Sequence, residues 1–82
     1  MDINGAVTAI EAFLKTYGGV IETQVRPSGD DTDVIKIWVD LGDAPAGDPV
    51  TWAADCERAI RQAIPDAAGF RLQVRAEKDP AD

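Results

Sequence analysis

Two periods account for most of the pattern of apolar and polar residues along the chain. In residues 3–17, Ile3, Val7, Ile10, Phe13, Leu14 and Tyr17 recur at spacings of three and four, with Thr8, Glu11, Lys15 and Thr16 falling elsewhere. That spacing predicts an amphipathic helix. Asp2 or Asn4 is placed to accept from its first-turn amides. Gly18-Gly19 is expected to end it, because glycine enters the left-handed cap conformation without a steric penalty.

Strict alternation follows. Residues 20–26 put Ile21, Thr23 and Val25 on one side and Glu22, Gln24 and Arg26 on the other, and residues 34–41 put Ile35, Ile37, Val39 and Leu41 opposite Lys36, Trp38 and Asp40. Period two with β-branched residues predicts half-buried strands. The connector Pro27-Ser28-Gly29-Asp30-Asp31-Thr32-Asp33 is turn chemistry, so the two strands are expected to form an antiparallel hairpin.

A loop over 42–48 leads to Asp48-Pro49-Val50-Thr51, an aspartate N-cap followed by proline at the first helical position. This second helix is expected to run to about Ile64, where Pro65 stops it. Its apolar arc holds Val50, Ala53, Cys56, Ile60, Ala63 and Ile64, with Trp52 and Ala59 at the margin and Asp55, Arg58, Arg61 and Gln62 facing water. Residues 70–76 alternate again, with Phe70, Leu72, Val74 and Ala76 inward and Arg71, Gln73 and Arg75 outward.

The order α-β-β-α-β predicts a single α+β domain over residues 1–82, a two-layer sandwich of two helices packed on one face of a three-stranded mixed sheet. The ordered core is expected over about 3–76, with a polar, frayed tail at 77–82. The link through the second helix should be a right-handed crossover, and the first strand is expected in the middle of the sheet. The opposite sheet face is left bare.

Composition narrows the class further. At 82 residues, 45% hydrophobic and 28% charged, the chain is a globular mixture with room for one core. No apolar run approaches the roughly 20 residues of a membrane span. The start Met1-Asp2-Ile3-Asn4 lacks the basic and apolar regions of a secretory signal. The single cysteine, Cys56, excludes an internal disulfide framework and fits a reducing cytoplasm. With no histidine and one thiol, zinc sites of the N/S kind and histidine-dependent triads are out.

Charge is unevenly spread. The formal charge is −7, and residues 30–57 alone hold eight acids (Asp30, Asp31, Asp33, Asp40, Asp43, Asp48, Asp55 and Glu57) against Lys36, while the rest of the chain is neutral. Such an asymmetry steers association with a basic partner over about 8–10 Å at physiological salt; the plain alternative is solubility. The bare face is expected to present Glu22, Gln24, Arg26, Lys36, Trp38, Asp40, Arg71, Gln73 and Arg75. An indole among bases suits a protein interface, stacking of single-stranded nucleic acid, or simple packing under arginine and lysine stems. Net negative charge opposes a polyanion, so nucleic acid ranks last.

Support for catalysis is thin. Asp30-Asp31-Thr32-Asp33 lacks the distal bidentate glutamate and ligand spacing of a calcium loop, and no glycine-rich stretch is followed by lysine at phosphate-loop spacing. Every acid falls on a loop, a helix exterior or the open face, where no apolar pocket tunes it for proton transfer. Cys56 lies in the apolar arc of its helix, where a thiol is an inert small hydrophobe.

The order of elements over about residues 6–75 resembles the C-terminal domain of NifU-type iron–sulfur scaffold proteins. The matching stretches are Tyr17-Gly18-Gly19-Val20, Val34-Ile35-Lys36-Ile37 and the helix from Cys56 to a terminal Pro65. The resemblance implies the same kind of fold. The family's cluster-binding C-x-x-C follows its second strand, where this chain reads Gly42-Asp43-Ala44-Pro45-Ala46-Gly47-Asp48-Pro49, so cluster binding does not carry over.

The sequence therefore reads as a non-catalytic, cofactor-free acidic binding protein of the inhibitor, immunity, anti-defence or regulatory adaptor kind. Asp30, Asp31, Asp33, Trp38, Asp40, Asp43 and Asp48 would meet a basic partner surface, one that binds nucleic acid included. Arg26, Lys36, Arg71 and Arg75 mark the open face. A scaffold-derived accessory domain docking to an enzyme, and single-strand binding on the open face, are the alternatives. The open face and the edge strands are also available for pairing two copies.

Overall fold

The computed structural model describes residues 2–17, 20, 22–29, 33–42 and 48–78. Helix α1 (Ile3–Thr16) starts where the Asp2 side chain accepts from the Gly5 amide at 2.7 Å, and Tyr17 is its C-cap, in extended backbone. Asp2 rather than Asn4 is thus the cap, and Gly18-Gly19 lie outside the described residues. Strands β1 (Glu22–Pro27) and β2 (Val34–Asp40) form the expected antiparallel hairpin; Ile21 lies outside the description. Helix α2 (Pro49–Ala63) opens on the Asp48 N-cap with Pro49 in its first turn, and Ile64 closes it. Pro65 then begins a short 3-10 turn (Pro65–Gly69) that the periodicity did not predict, and it buries Ala67. Strand β3 (Arg71–Glu77) runs parallel to β2.

Two helices thus pack with a three-stranded mixed sheet in an α+β arrangement, α1 along β1 and α2 along β3. The strand order is β1-β2-β3, so β2, and not the first strand as expected, is central. Pro27 supplies a physical reason. Paired with Ile35 inside β1, it has no N–H to give a second neighbour, and proline inside a strand is confined to an edge. By contrast every inward position of β2 is buried: Ile35, Ile37 and Val39, with Leu41 just past the strand, are each at most 1% exposed.

One core cluster joins these residues to Ala6, Ile10 and Leu14 of α1, Val25, Cys56 and Ile60 of α2, and Leu72. Of the expected α2 arc only Cys56 and Ile60 are in it. Val50 is 76% exposed and Ala63 is also exposed, so the buried stripe of α2 narrows to Cys56 and Ile60, with Ala53, Ala59 and Ile64 half-buried. β3 also runs one residue further than predicted: Glu77, assigned to the frayed tail, accepts from the Leu41 amide at 2.8 Å.

Ile37→Ala, which empties a position at the centre of β2 in the core cluster, is expected to lower unfolding free energy by about 3 kcal/mol, read by urea denaturation. Val50→Ala is expected to change it by less than about 0.5 kcal/mol. Equal losses for the two would overturn this assignment of the core.

Candidate functional site

Register decides which side chains share the open face. Across the sheet, Glu22 pairs with Asp40 and Asp40 with Glu77; the next open-face row is Gln24, Trp38 and Arg75; the one after is Arg26, Lys36 and Gln73. Side chains alternate sides along a strand, so these rows stand on one face, opposite the core residues Val25, Ile37 and Val74. Arg71 belongs to the same face at its far end.

The face is therefore polar in the electrical sense. Three carboxylates line the end where β2 and β3 finish, and Arg26, Lys36 and Arg71 occupy the other. Glu77 completes the acidic row, and the sequence reading missed it because it placed residue 77 in the tail. The available signal was the unbroken alternation Arg71, Gln73, Arg75, Glu77.

Trp38, half-buried, sits between these ends. With Gln24, Arg26, Lys36, Gln73 and Arg75 it lines a shallow hollow of about 440 Å³. The Arg26 guanidinium donates to the Gln24 side-chain oxygen. Arg75 Nε lies 3.2 Å from Glu77 Oε1 in a largely exposed pair, which contributes little to stability.

The acids singled out in the sequence do not gather in one place. Asp33 precedes β2 and Asp40 ends it, so about 23 Å of extended chain separates them. Asp48 lies at the same end of the sheet as Asp40: α2 packs along β3, and its first residues, Pro49 and Val50, share a groove with Leu72 to Ala76 of that strand. Asp30, Asp31 and Asp43 lie outside the described residues.

Two of the acids also have local work. Asp40 Oδ1 accepts from the Gly42 amide at 2.8 Å, tying a turn in which Gly42 takes φ 61°, a conformation suited to glycine. Asp48 accepts from the Val50 amide at 3.2 Å and from the Thr51 hydroxyl at 3.3 Å. On the exterior of α2, Asp55 pairs with Arg58 at 3.5 Å and Glu57 with Arg61 at 3.9 Å.

Cys56 is fully buried in the core. Burial penalises its thiolate and pushes the thiol up to about 11, the opposite of a nucleophile or cluster ligand. Tyr17, packed against Phe13 and edge-on to Trp52 with ring centroids 5.5 Å away in each case, is also raised. The cause is first burial, then the nearby Cys56 and Asp55. Among the described residues no group of three or more His, Cys, Asp or Glu is arranged to hold a metal ion, and no helix is long and apolar enough to cross a membrane.

Comparison with protein-family models, with curated proteins and with solved structures found no match for this chain.

A thiol raised from 9.0 to about 11 on folding contributes stability that is fully present below pH 9 and is lost as pH rises through 11. Full expression of that shift is worth about 2–3 kcal/mol. The wild-type protein is therefore expected to lose about 2 kcal/mol more than Cys56→Ala between pH 8.5 and 11, measured by urea denaturation at each pH. Parallel pH profiles would show that Cys56 is not the titrating group.

Proposed function

We propose that this protein is a non-catalytic, acidic protein-binding domain of the inhibitor or adaptor kind, working in a reducing cytoplasm. Its acidic end, Glu22, Asp40 and Glu77 with Asp48, would cover a basic surface of a partner protein, with Trp38 one row in as an anchor. The observation that carries this reading is the carboxylate row formed by register, directly beside a half-buried indole. Charges aligned in a row attract a complementary surface at long range, and an aromatic anchor holds it once water is expelled. The alternative of an accessory domain from iron–sulfur assembly keeps only its docking form, since the one thiol is buried.

Immobilised protein is expected to retain one basic protein stoichiometrically from nuclease-treated lysate and to release it as salt rises. The triple variant Glu22→Gln, Asp40→Asn and Asp48→Asn is expected to bind that protein about tenfold more weakly, while Asp33→Asn, at the other end of β2, binds unchanged. Asparagine caps a helix as well as aspartate, so the triple variant keeps its start to α2. Equal affinity for the triple variant and the wild type would refute the acidic-end reading.

Single-stranded nucleic acid is a second reading, favoured by the hollow in which Arg26, Lys36 and Arg75 surround Trp38. In a Trp52→Phe background Trp38 is the one remaining indole. The protein-binding reading expects no quenching of its fluorescence by a mixed-sequence oligonucleotide at low salt. Quenching that disappears as salt is added would move the assignment to nucleic acid.

A further inference from the structure

The free edge of β3 differs from the rest of the surface in three independent ways. The first is the direction of its amides. Arg71 N–H donates to the Asp33 carbonyl at 2.7 Å, and Leu41 N–H donates to the Glu77 carbonyl at 2.8 Å, so the odd-numbered residues of β3 bond to β2. Backbone groups alternate sides along a strand, and Leu72, Val74 and Ala76 therefore direct theirs away from the sheet. No described strand pairs there. Arg61 already donates to the Phe70 carbonyl at 3.3 Å, closing the ladder at that end.

The second is a groove of about 550 Å³, of mixed polar and apolar lining, that touches five successive residues of β3, Leu72 to Ala76, and Val50, Ala53, Ala54 and Glu57 of α2. Contact with both parities of one strand means that the groove follows its edge. It also holds Val50, the exposed large hydrophobic of the described residues.

The third is charge register. If β3 met a second β3 antiparallel, keeping core side opposite core side, the centre of pairing would fall on Gln73, Val74 or Arg75. Centring on Gln73 sets Arg71 against Arg75, and centring on Arg75 sets that arginine against itself. Centring on Val74 sets Arg71 against Glu77 twice and Gln73 against Arg75. It also places Val74, whose backbone N–H and C=O point off the edge, opposite Val74 and Leu72 opposite Ala76, where hydrogen-bonded pairs form. Like charges directly opposed destabilise a strand pair and unlike charges stabilise it.

We propose that β3 pairs with β3 of a second copy about a two-fold axis at Val74, joining the two sheets into one. The partner strand's Leu72, Val74 and Ala76 would lie along the groove beside α2 and cover Val50, as in strand addition to a sheet edge beside a helix. β1 is the poorer edge. The bond from Ser28 N–H to the Val34 carbonyl at 2.9 Å sets a register that turns the backbone groups of Thr23, Val25 and Pro27 outward, and Pro27 has no N–H to donate.

This inference goes beyond the proposed function and is read by self-association alone, with no captured partner needed. Sedimentation velocity across a concentration series is expected to show a monomer–dimer equilibrium. Arg71→Glu and Glu77→Arg are each expected to weaken the dimer about tenfold, because each replaces two attractions by two repulsions. The double variant, which exchanges the two charges across the axis, is expected to recover to within about threefold of wild type. Glu22→Arg, at the β1 edge, is expected to have no effect, and far-ultraviolet circular dichroism checks that every variant is folded. A monomer at all concentrations, a double variant as weak as the singles, or disruption by Glu22→Arg instead would each overturn the proposal.

Discussion

The inward row of β2, Ile35, Ile37 and Val39, continued by Leu41 just past its end, is what the rest of the molecule is arranged to cover. These four side chains are at most 1% exposed, and burying an aliphatic side chain contributes about 1.5–3 kcal/mol. In a domain of this size that is a large share of the available stability. Neither helix covers the row alone. α1 lies along β1 and α2 along β3, and their aromatic groups meet edge-on at Tyr17 and Trp52. Cys56 and Ile60 supply the α2 side of the same core, which is why the thiol has no access to water and its pKa is pushed up to about 11.

The surface follows from that burial. Once the inward residues of β2 are committed, strand register cannot slip by one residue without moving the whole apolar set to solvent. Fixed register then sorts the outward side chains into rows. The acidic row and the row of Arg26 and Lys36 belong to opposite ends of the face without any contact between them being needed. A chain whose formal charge is −7 thereby carries a basic end and an acidic end on one small sheet.

The elements were legible because each announces itself in one local signal: period 3.6 in α1, Asp48-Pro49 at the start of α2, period two in all three strands. What was not legible was relational. Pro27 is both a turn residue and an edge-strand residue, and reading it only as a turn allowed β1 the central place. Val50 fits the apolar arc of α2, but a helical projection does not say which turn the sheet covers, and Val50 is 76% exposed in the first turn. The acidic site was sought as a run in sequence, from Asp30 to Asp48. In the fold Asp33 is separated from Asp40 by the whole of β2, and Glu22 and Glu77, far apart in sequence, flank Asp40. Adjacency along the chain stands in poorly for adjacency across a sheet.

The length scale of screening decides how a partner meets such a face. The acidic row and the row of Arg26 and Lys36 are four residues apart along the strands, about 13 Å, whereas charges in physiological salt are screened over about 8 Å. The two ends therefore act as separate surfaces and do not cancel. At longer range only the net charge survives, and it repels nucleic acid while attracting a basic protein. Close in, the proposed basic partner would meet carboxylates at one end and reach Trp38 one row later. A polyanion must cross an unfavourable field to reach the few bases around the same indole, and four bases beside three acids offer it little net counterion release. The order in which those forces act, net charge first and the indole last, favours a protein partner.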